Sequence, residues 1–362
     1  MNYNLKNTFK RIRGIKFYKS QVILGYDNGE LFVDSNKISD DVDTVSSSLR
    51  IYLHYLFFDK NDISCVYDFD TKIVIQTGDF RVYTESIVDN EFLGTYGGLF
   101  INGKYSWHTG KYDFDKKKIL MDFPLLQDVP IICFLGVNDL IVSPKQMTLS
   151  YYDLKKNGYL WQTDLSGRKY LDIWQEEKEV KIQRIIGIYE NQLLVVFSND
   201  ELISLDTNTG EVLWETKDFI KINLPDRRSI SQFRFVYWHI ENGKMYQLDG
   251  NVYYSIDLYS QKVEILWKDE KQENFITITH KTYTTEYIYF TGSYNQLLQP
   301  HLVGVFNRKL LKVEWVHDIN LSIDPKMGYP PSLNQPPQVS ENKLYVLDTG
   351  GTLHIFEKAQ NA

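Results

Sequence analysis

Residues 201–218 read ELISLDTNTGEVLWETKD, a hairpin written out in one line. An apolar strand ends at Leu205-Asp206, a polar turn carries Thr209-Gly210, and a second strand carries Trp214. The same pattern recurs along the chain in YYDLKKNGYLWQTDL (151–165), SIDLYSQKVEILWKDE (255–270) and GVFNRKLLKVEWVHDI (304–319). Trp161, Trp214, Trp267 and Trp315 are spaced by 53, 53 and 48 residues. Asp153, Asp206 and Asp257 keep step with them, and Asn307 takes that place in the last unit. A period near 50 is too long for ankyrin or tetratricopeptide repeats and matches a four-stranded β-sheet with its loops.

The register extends backwards more weakly. YDFDKKKIL (112–120) and YDFDTKIVI (67–75) show the turn without its Trp. Before each turn stands another pair of short strands, as in LLVVFS then ELISLD, or KLYVLD then TLHIFE near the end. Asn28-Gly29, Asn102-Gly103, Asn157-Gly158, Asn242-Gly243 and Asp249-Gly250 are dipeptides that accept the positive φ of tight hairpins. Composition agrees: aromatics make up 15%, whereas alanine, the best helix former, occurs only at 359 and 362.

The expected fold is therefore all-β, a single β-propeller of four-stranded antiparallel blades spanning residues 1–362. Units at 92–123, 132–166, 185–218, 233–270 and 276–319 plus a split terminal one make six. The last unit stops short of its outermost strand near Glu357, and a segment within Asn4 to Arg13 is expected to supply it and close the ring. Residues 15–90 supply the rest, giving seven blades, or eight if that stretch holds two. Residues 37–50 and 168–184 read as polar insertions, the second with one or two helical turns. Residues 322–337, with five prolines, read as an irregular loop.

The segment 201–218 closely resembles the repeat of the pyrroloquinoline-quinone-type β-propellers, in which a Leu-Asp strand end leads through a Thr-Gly turn to a Trp-bearing outer strand. The flanking units keep the Asp and Trp but lose Thr209-Gly210, so the resemblance covers about 220 residues at falling quality. It implies a structural role for each Asp, fixing the turn through backbone N–H groups, and for each Trp, covering the gap between blades. Fold follows from it more strongly than function. Quinoprotein dehydrogenases of this fold are similar to one another in a vicinal cysteine pair and a calcium site. Here Cys65 and Cys133 stand 68 residues apart, so quinone chemistry is not expected.

Other chemistry is equally unmarked. The seven histidines include no pair closer than 16 residues, so no local metal-ligand motif can be drawn. Asp206 to Gly210 fails as a calcium loop because Gly210 sits at the fifth position and Lys217 where a bidentate Glu is needed. Phosphate loops, nucleophile elbows and zincin helices are missing from the sequence. The expectation is a non-enzyme without cofactor or catalytic residues.

A formal charge of −7, from 40 basic and 47 acidic side chains, argues against direct nucleic-acid binding and favours a basic protein partner. No apolar run is long enough to span a membrane and no signal sequence is visible, so the expected location is cytoplasmic and the expected free state monomeric. The two insertions carry acidic groups, Asp40, Asp41 and Asp43 on the first and Glu176, Glu177 and Glu179 beside Trp174 on the second. With Tyr329 of the proline-rich loop, these eight residues are the candidate partner-binding set, charge steering the encounter and aromatics anchoring it. By type of protein, a soluble, acidic, bacterial-looking propeller without catalytic motif resembles the immunity proteins of contact-dependent growth inhibition and of secreted antibacterial toxins. That resemblance implies a basic, nuclease-type toxin domain as partner. The alternatives are a propeller scaffold for a protein complex and an enzyme with its site at the channel mouth.

Overall fold

Each repeat turn is locked as the sequence implies. Asp206 Oδ1 accepts the backbone N–H groups of Asn208 and Thr209 at 2.7 and 3.1 Å. Asp153 does the same for Lys155 and Lys156, Asp257 for Tyr259 and Ser260, and Asp68 for Asp70 and Thr71. Asn307 takes the amides of Lys309 and Leu310, and Asp113 that of Lys116. One side chain thus satisfies two donors that the bend removes from the ladder, so each hairpin closes on its own sequence.

The computed structural model describes residues 3–44, 49–61, 63–78, 80–88, 91–101, 104–113, 116, 118–135, 138–172, 174–199, 201–216, 222–223, 229–230, 239–249, 252–268, 276–294, 299–319 and 330–359. It is a β-propeller of eight four-stranded antiparallel blades. Blade one comprises Ile12–Tyr18, Gln21–Tyr26, Leu31–Val33 and Asn36–Ser39, and blade two Arg50–Tyr52, Tyr55–Lys60, Ile63–Asp68 and Val74–Gly78. Blades three to seven follow in chain order, starting at Arg81, Ile131, Ile182, His239 and Ile276. Blade eight takes Gln338–Ser340, Lys343–Leu347 and Leu353–Lys358 from the carboxy-terminal end and Tyr3–Phe9 from the amino-terminal end. Tyr3 pairs with Lys358 and Phe9 with Leu353, the strand exchange expected for Asn4 to Arg13, and Ile12 already opens blade one.

Three expectations need correction. Eight blades replace the leading expectation of seven, because residues 12–78 hold two. The polar segment 37–50 conceals an edge strand, Asn36–Ser39, and a first strand, Arg50–Tyr52, each too short for alternation to show. Among the described residues of the insertion 168–184 there is no helical turn; Lys169–Leu171 and Glu177–Glu179 form a two-stranded hairpin. Among the described residues the one helical element is a 3₁₀ turn at Pro124–Leu126.

Contacts divide the chain into two compact units, residues 1–75 with 244–362, and residues 76–243. Within the second, Trp161 of blade four is buried against blade five, where its indole N–H donates to the Thr207 carbonyl at 2.8 Å. Gly210 makes this approach possible: with φ of +76° it accepts a conformation costly for other residues, and a Cβ there would stand 2.5 Å from the indole ring. Within the first, Trp267 meets Phe306 of blade seven at 5.1 Å, and Trp315 meets Phe356 and Tyr3 of blade eight at 5.6 and 5.3 Å. Trp214 differs, donating to Gln192 Oε1 of its own blade at 3.0 Å.

A feature absent from the sequence reading recurs beside these residues. Register shifts insert one extra residue before each Trp: Leu160, Leu213, Leu266 and Glu314. Such a bulge bends and twists the edge strand, which makes it a poor template for pairing with another chain.

The turn carboxylates give a pH prediction. Backbone N–H groups of Ser260 and Ser166 hold Asp257 and Asp164 below the ordinary aspartate value. A depressed folded-state pKa contributes stability that is present above the unfolded value of about 3.9 and disappears as pH falls through the lower folded value. Thermal unfolding followed from pH 7 to pH 2 should therefore show a falling midpoint below about pH 4. In D257N that part of the acid dependence should be smaller.

Candidate partner-binding site

The insertion at 168–184 leaves blade four after Leu165 and enters blade five at Ile182. Its base is rooted in the core shared by those blades. Val180 is buried with Trp161, Leu165 and Leu193, Tyr170 packs against the same cluster, and the Val180 N–H donates to the Arg168 carbonyl at 3.0 Å. Arg168 pairs with Glu215 at 2.6 Å and lies over the Phe197 ring. The far end is fixed by Asp172, whose Oδ1 accepts the Trp174 and Glu176 amides at 2.8 and 3.0 Å. The Gln175 amide donates to the Asp172 carbonyl, and Gln175 takes the left-handed φ of +61° that completes the turn.

This ordered hairpin presents apolar surface at its tip. Trp174 is 76% exposed and Leu171 61%. A large aromatic held out on a pre-formed turn is the kind of residue that anchors protein interfaces, since little entropy is lost in seating it.

Two of the candidate carboxylates are ion-paired within the hairpin. Glu177 pairs with Lys169 at 2.6 Å, and the hydrogen bond to its carboxylate, with its charge, raises the Lys169 ammonium pKa. Glu176 pairs with Lys178, which also reaches Asp172 at 3.8 Å. Residues 168–181 hold four cations (Arg168, Lys169, Lys178, Lys181) and four anions (Asp172, Glu176, Glu177, Glu179), so the hairpin itself is neutral. The acidity that would steer a basic partner belongs to the chain as a whole.

Asp40, Asp41 and Asp43 follow the edge strand of blade one, in the other compact unit. Asp40 and Glu30 both pair with Lys37, at 2.5 and 2.7 Å, and raise its pKa. Asp41 sits in a left-handed turn at φ +56°, and the Asp43 N–H donates to the Asp59 carbonyl. These three acids are neighbours by sequence, while Trp174, Glu176, Glu177 and Glu179 are brought together by a hairpin. Tyr329 lies outside the described residues.

Sequence reasoning missed one grouping. His54, Asp68 and Asp70 converge on neighbouring turns of blade two. Their separation of 14 and 16 residues hides them unless the repeat register is laid over the chain.

No known family profile and no curated protein matches this chain by sequence. Solved structures do resemble it. A computationally designed protein, Ika8, aligns over 96% of both chains with a TM-score of 0.55 and 12% identity. BamB from Moraxella catarrhalis aligns over 100% of this chain and 99% of its own, with a TM-score of 0.53 and 9% identity. Sqt1 from Saccharomyces cerevisiae aligns over 99% and 98%, with a TM-score of 0.52 and 10% identity. Identities this low bear on the fold alone.

Proposed function

We propose that this propeller acts without catalysis, by binding another protein through the hairpin at 168–181. We propose further that the partner is an antibacterial toxin with a basic, nuclease-type domain, which this chain holds inactive in the bacterial cytoplasm as an immunity protein. The observation that carries the reading is Trp174, exposed at the tip of a hairpin whose base is buried and whose stem is ion-paired. A formal charge of −7 supports a basic partner by raising the rate of encounter.

The test is co-expression with the product of the adjacent upstream open reading frame, scored by growth and by size-exclusion chromatography. Toxicity relieved by this chain, with a stoichiometric complex, is the expected result. A harmless neighbour that does not co-elute would overturn the toxin assignment.

Charge steering makes a separate prediction. The triple reversal E176K/E177K/E179K changes formal charge by +6, from −7 to −1. Association with a basic partner at low salt should slow by about tenfold, with dissociation nearly unchanged. The hairpin should stay folded, because exposed pairs such as Lys169–Glu177 contribute little to stability. An association rate that stays the same, at low and at physiological salt, would remove these carboxylates from the encounter.

A further inference from the structure

Blades two and five can be compared turn by turn. Asp68 and Asp206 close equivalent turns between third and fourth strands, each accepting backbone N–H groups from two and three residues on. The turn between first and second strands lies alongside in both: the Phe69 amide donates to the His54 carbonyl at 2.9 Å, and the Thr207 amide to the Asn191 carbonyl at 2.8 Å. In blade five the Asn191 side-chain amide then donates to Asp206 Oδ2 at 2.7 Å, tying the two turns with an ordinary hydrogen bond.

Blade two departs from this arrangement at two positions. His54 stands in place of Asn191. Asp70 stands where blade five has Asn208, and where blades four, six and seven have Lys155, Tyr259 and Lys309. The His54 Nδ1 to Asp70 Oδ2 separation is 4.0 Å, beyond hydrogen-bond range. One donor atom from each of His54, Asp68 and Asp70 lies within 4.8 Å of the others.

We propose that His54, Asp68 and Asp70 bind a divalent cation of the zinc class, which ties the two turns of blade two as the Asn191 amide ties those of blade five. Zinc-type ions hold imidazole nitrogen and carboxylate oxygen at about 2.0 to 2.2 Å in tetrahedral geometry, so two ligand atoms of one ion stand about 3.3 to 3.5 Å apart. The 4.0 Å gap is too wide for a hydrogen bond and lies within a small side-chain rotation of that span. Asp70 is 65% exposed and can rotate to bring its oxygen closer to that of Asp68. Asp68 is buried, and its Oδ2 accepts the Thr71 hydroxyl at 2.8 Å, which orients the carboxylate and leaves it a further lone pair for the ion. Imidazole with carboxylates suits Zn²⁺, Co²⁺ or Ni²⁺ better than the all-oxygen sites of Ca²⁺ and Mg²⁺, and water completes the coordination.

The experiment titrates the metal-stripped full chain with Zn²⁺ alone by calorimetry, and with Co²⁺ alone by visible absorption. One saturable equivalent is expected, with a Zn²⁺-dependent rise in the thermal midpoint. H54A and D70N alter surface turn positions, so both should fold, and each should weaken binding more than about tenfold and remove the thermal shift. Binding of no saturable equivalent would overturn the site. So would an equivalent that survives in both variants, including one lost only when the separate surface pair His239 and Glu241 is changed.

Discussion

Trp161→Ala should lower stability by about 3 to 5 kcal/mol. Trp161 is 8% exposed, its indole lies against Gly210 of the next blade, and its N–H supplies the Thr207 carbonyl with a hydrogen bond. Truncation removes all three contributions and leaves a cavity between two sheets whose close-packed side chains relax only partly to fill it. Trp161→Phe keeps an aromatic ring but drops the donor, and should cost about 1 to 2 kcal/mol. Gly210→Ala tests the same contact from the other side, since its new Cβ meets the indole and its φ is unfavourable; about 1 to 3 kcal/mol is expected. Trp214→Ala should cost less than Trp161→Ala, because Trp214 is half-buried and bonded within its own blade. Denaturant unfolding gives the global change, and amide exchange over Gln192–Phe197 shows whether the loss falls in the unit that holds the contact. A change below about 1 kcal/mol for Trp161→Ala would mean that this indole does not hold the blades together.

These residues also show why the fold could be read from the sequence and the site only partly. The Asp and Trp of each repeat act within one hairpin or on the adjacent blade, so their period of about 50 residues is the period of the architecture. The bulges do not show in the sequence for the opposite reason: Leu160, Leu213, Leu266 and Glu314 each precede one of the four repeat tryptophans, so an extra residue common to those repeats leaves no gap when they are compared. Whether residues 15–90 hold one blade or two stayed open because strands of three and four residues, Leu31–Val33 and Asn36–Ser39, are too short to display alternation. At the insertion, Trp174 and the acids were visible by type, but the lysines that pair with Glu176 and Glu177 were not. Cross-strand neighbours depend on hairpin register, and that register is set by Asp172 and Gln175 at the turn. His54, Asp68 and Asp70 belong to two turns that meet only once the blade is formed.

Trp174→Ala should weaken partner binding by about 2 kcal/mol or more, roughly thirtyfold in Kd, while changing stability by less than about 0.5 kcal/mol. The two halves of this expectation come from opposite ends of the hairpin. Stability resides at the base, where Val180 is buried and Arg168 bridges to Glu215 and Phe197. Affinity resides at the tip, where the Asp172 turn holds the Trp174 backbone in place before any partner arrives, so that seating the indole loses few rotamers. Leu171 extends the apolar surface beside it, and L171A should add a smaller loss in the same direction. The carboxylates act through long-range charge before contact and the indole through contact, which is why reversing Glu176, Glu177 and Glu179 should act on association and Trp174→Ala on dissociation. Surface plasmon resonance against the partner recovered by co-expression separates the two rates. An unchanged dissociation rate in Trp174→Ala would move the interface away from this hairpin, even if the complex itself proves real.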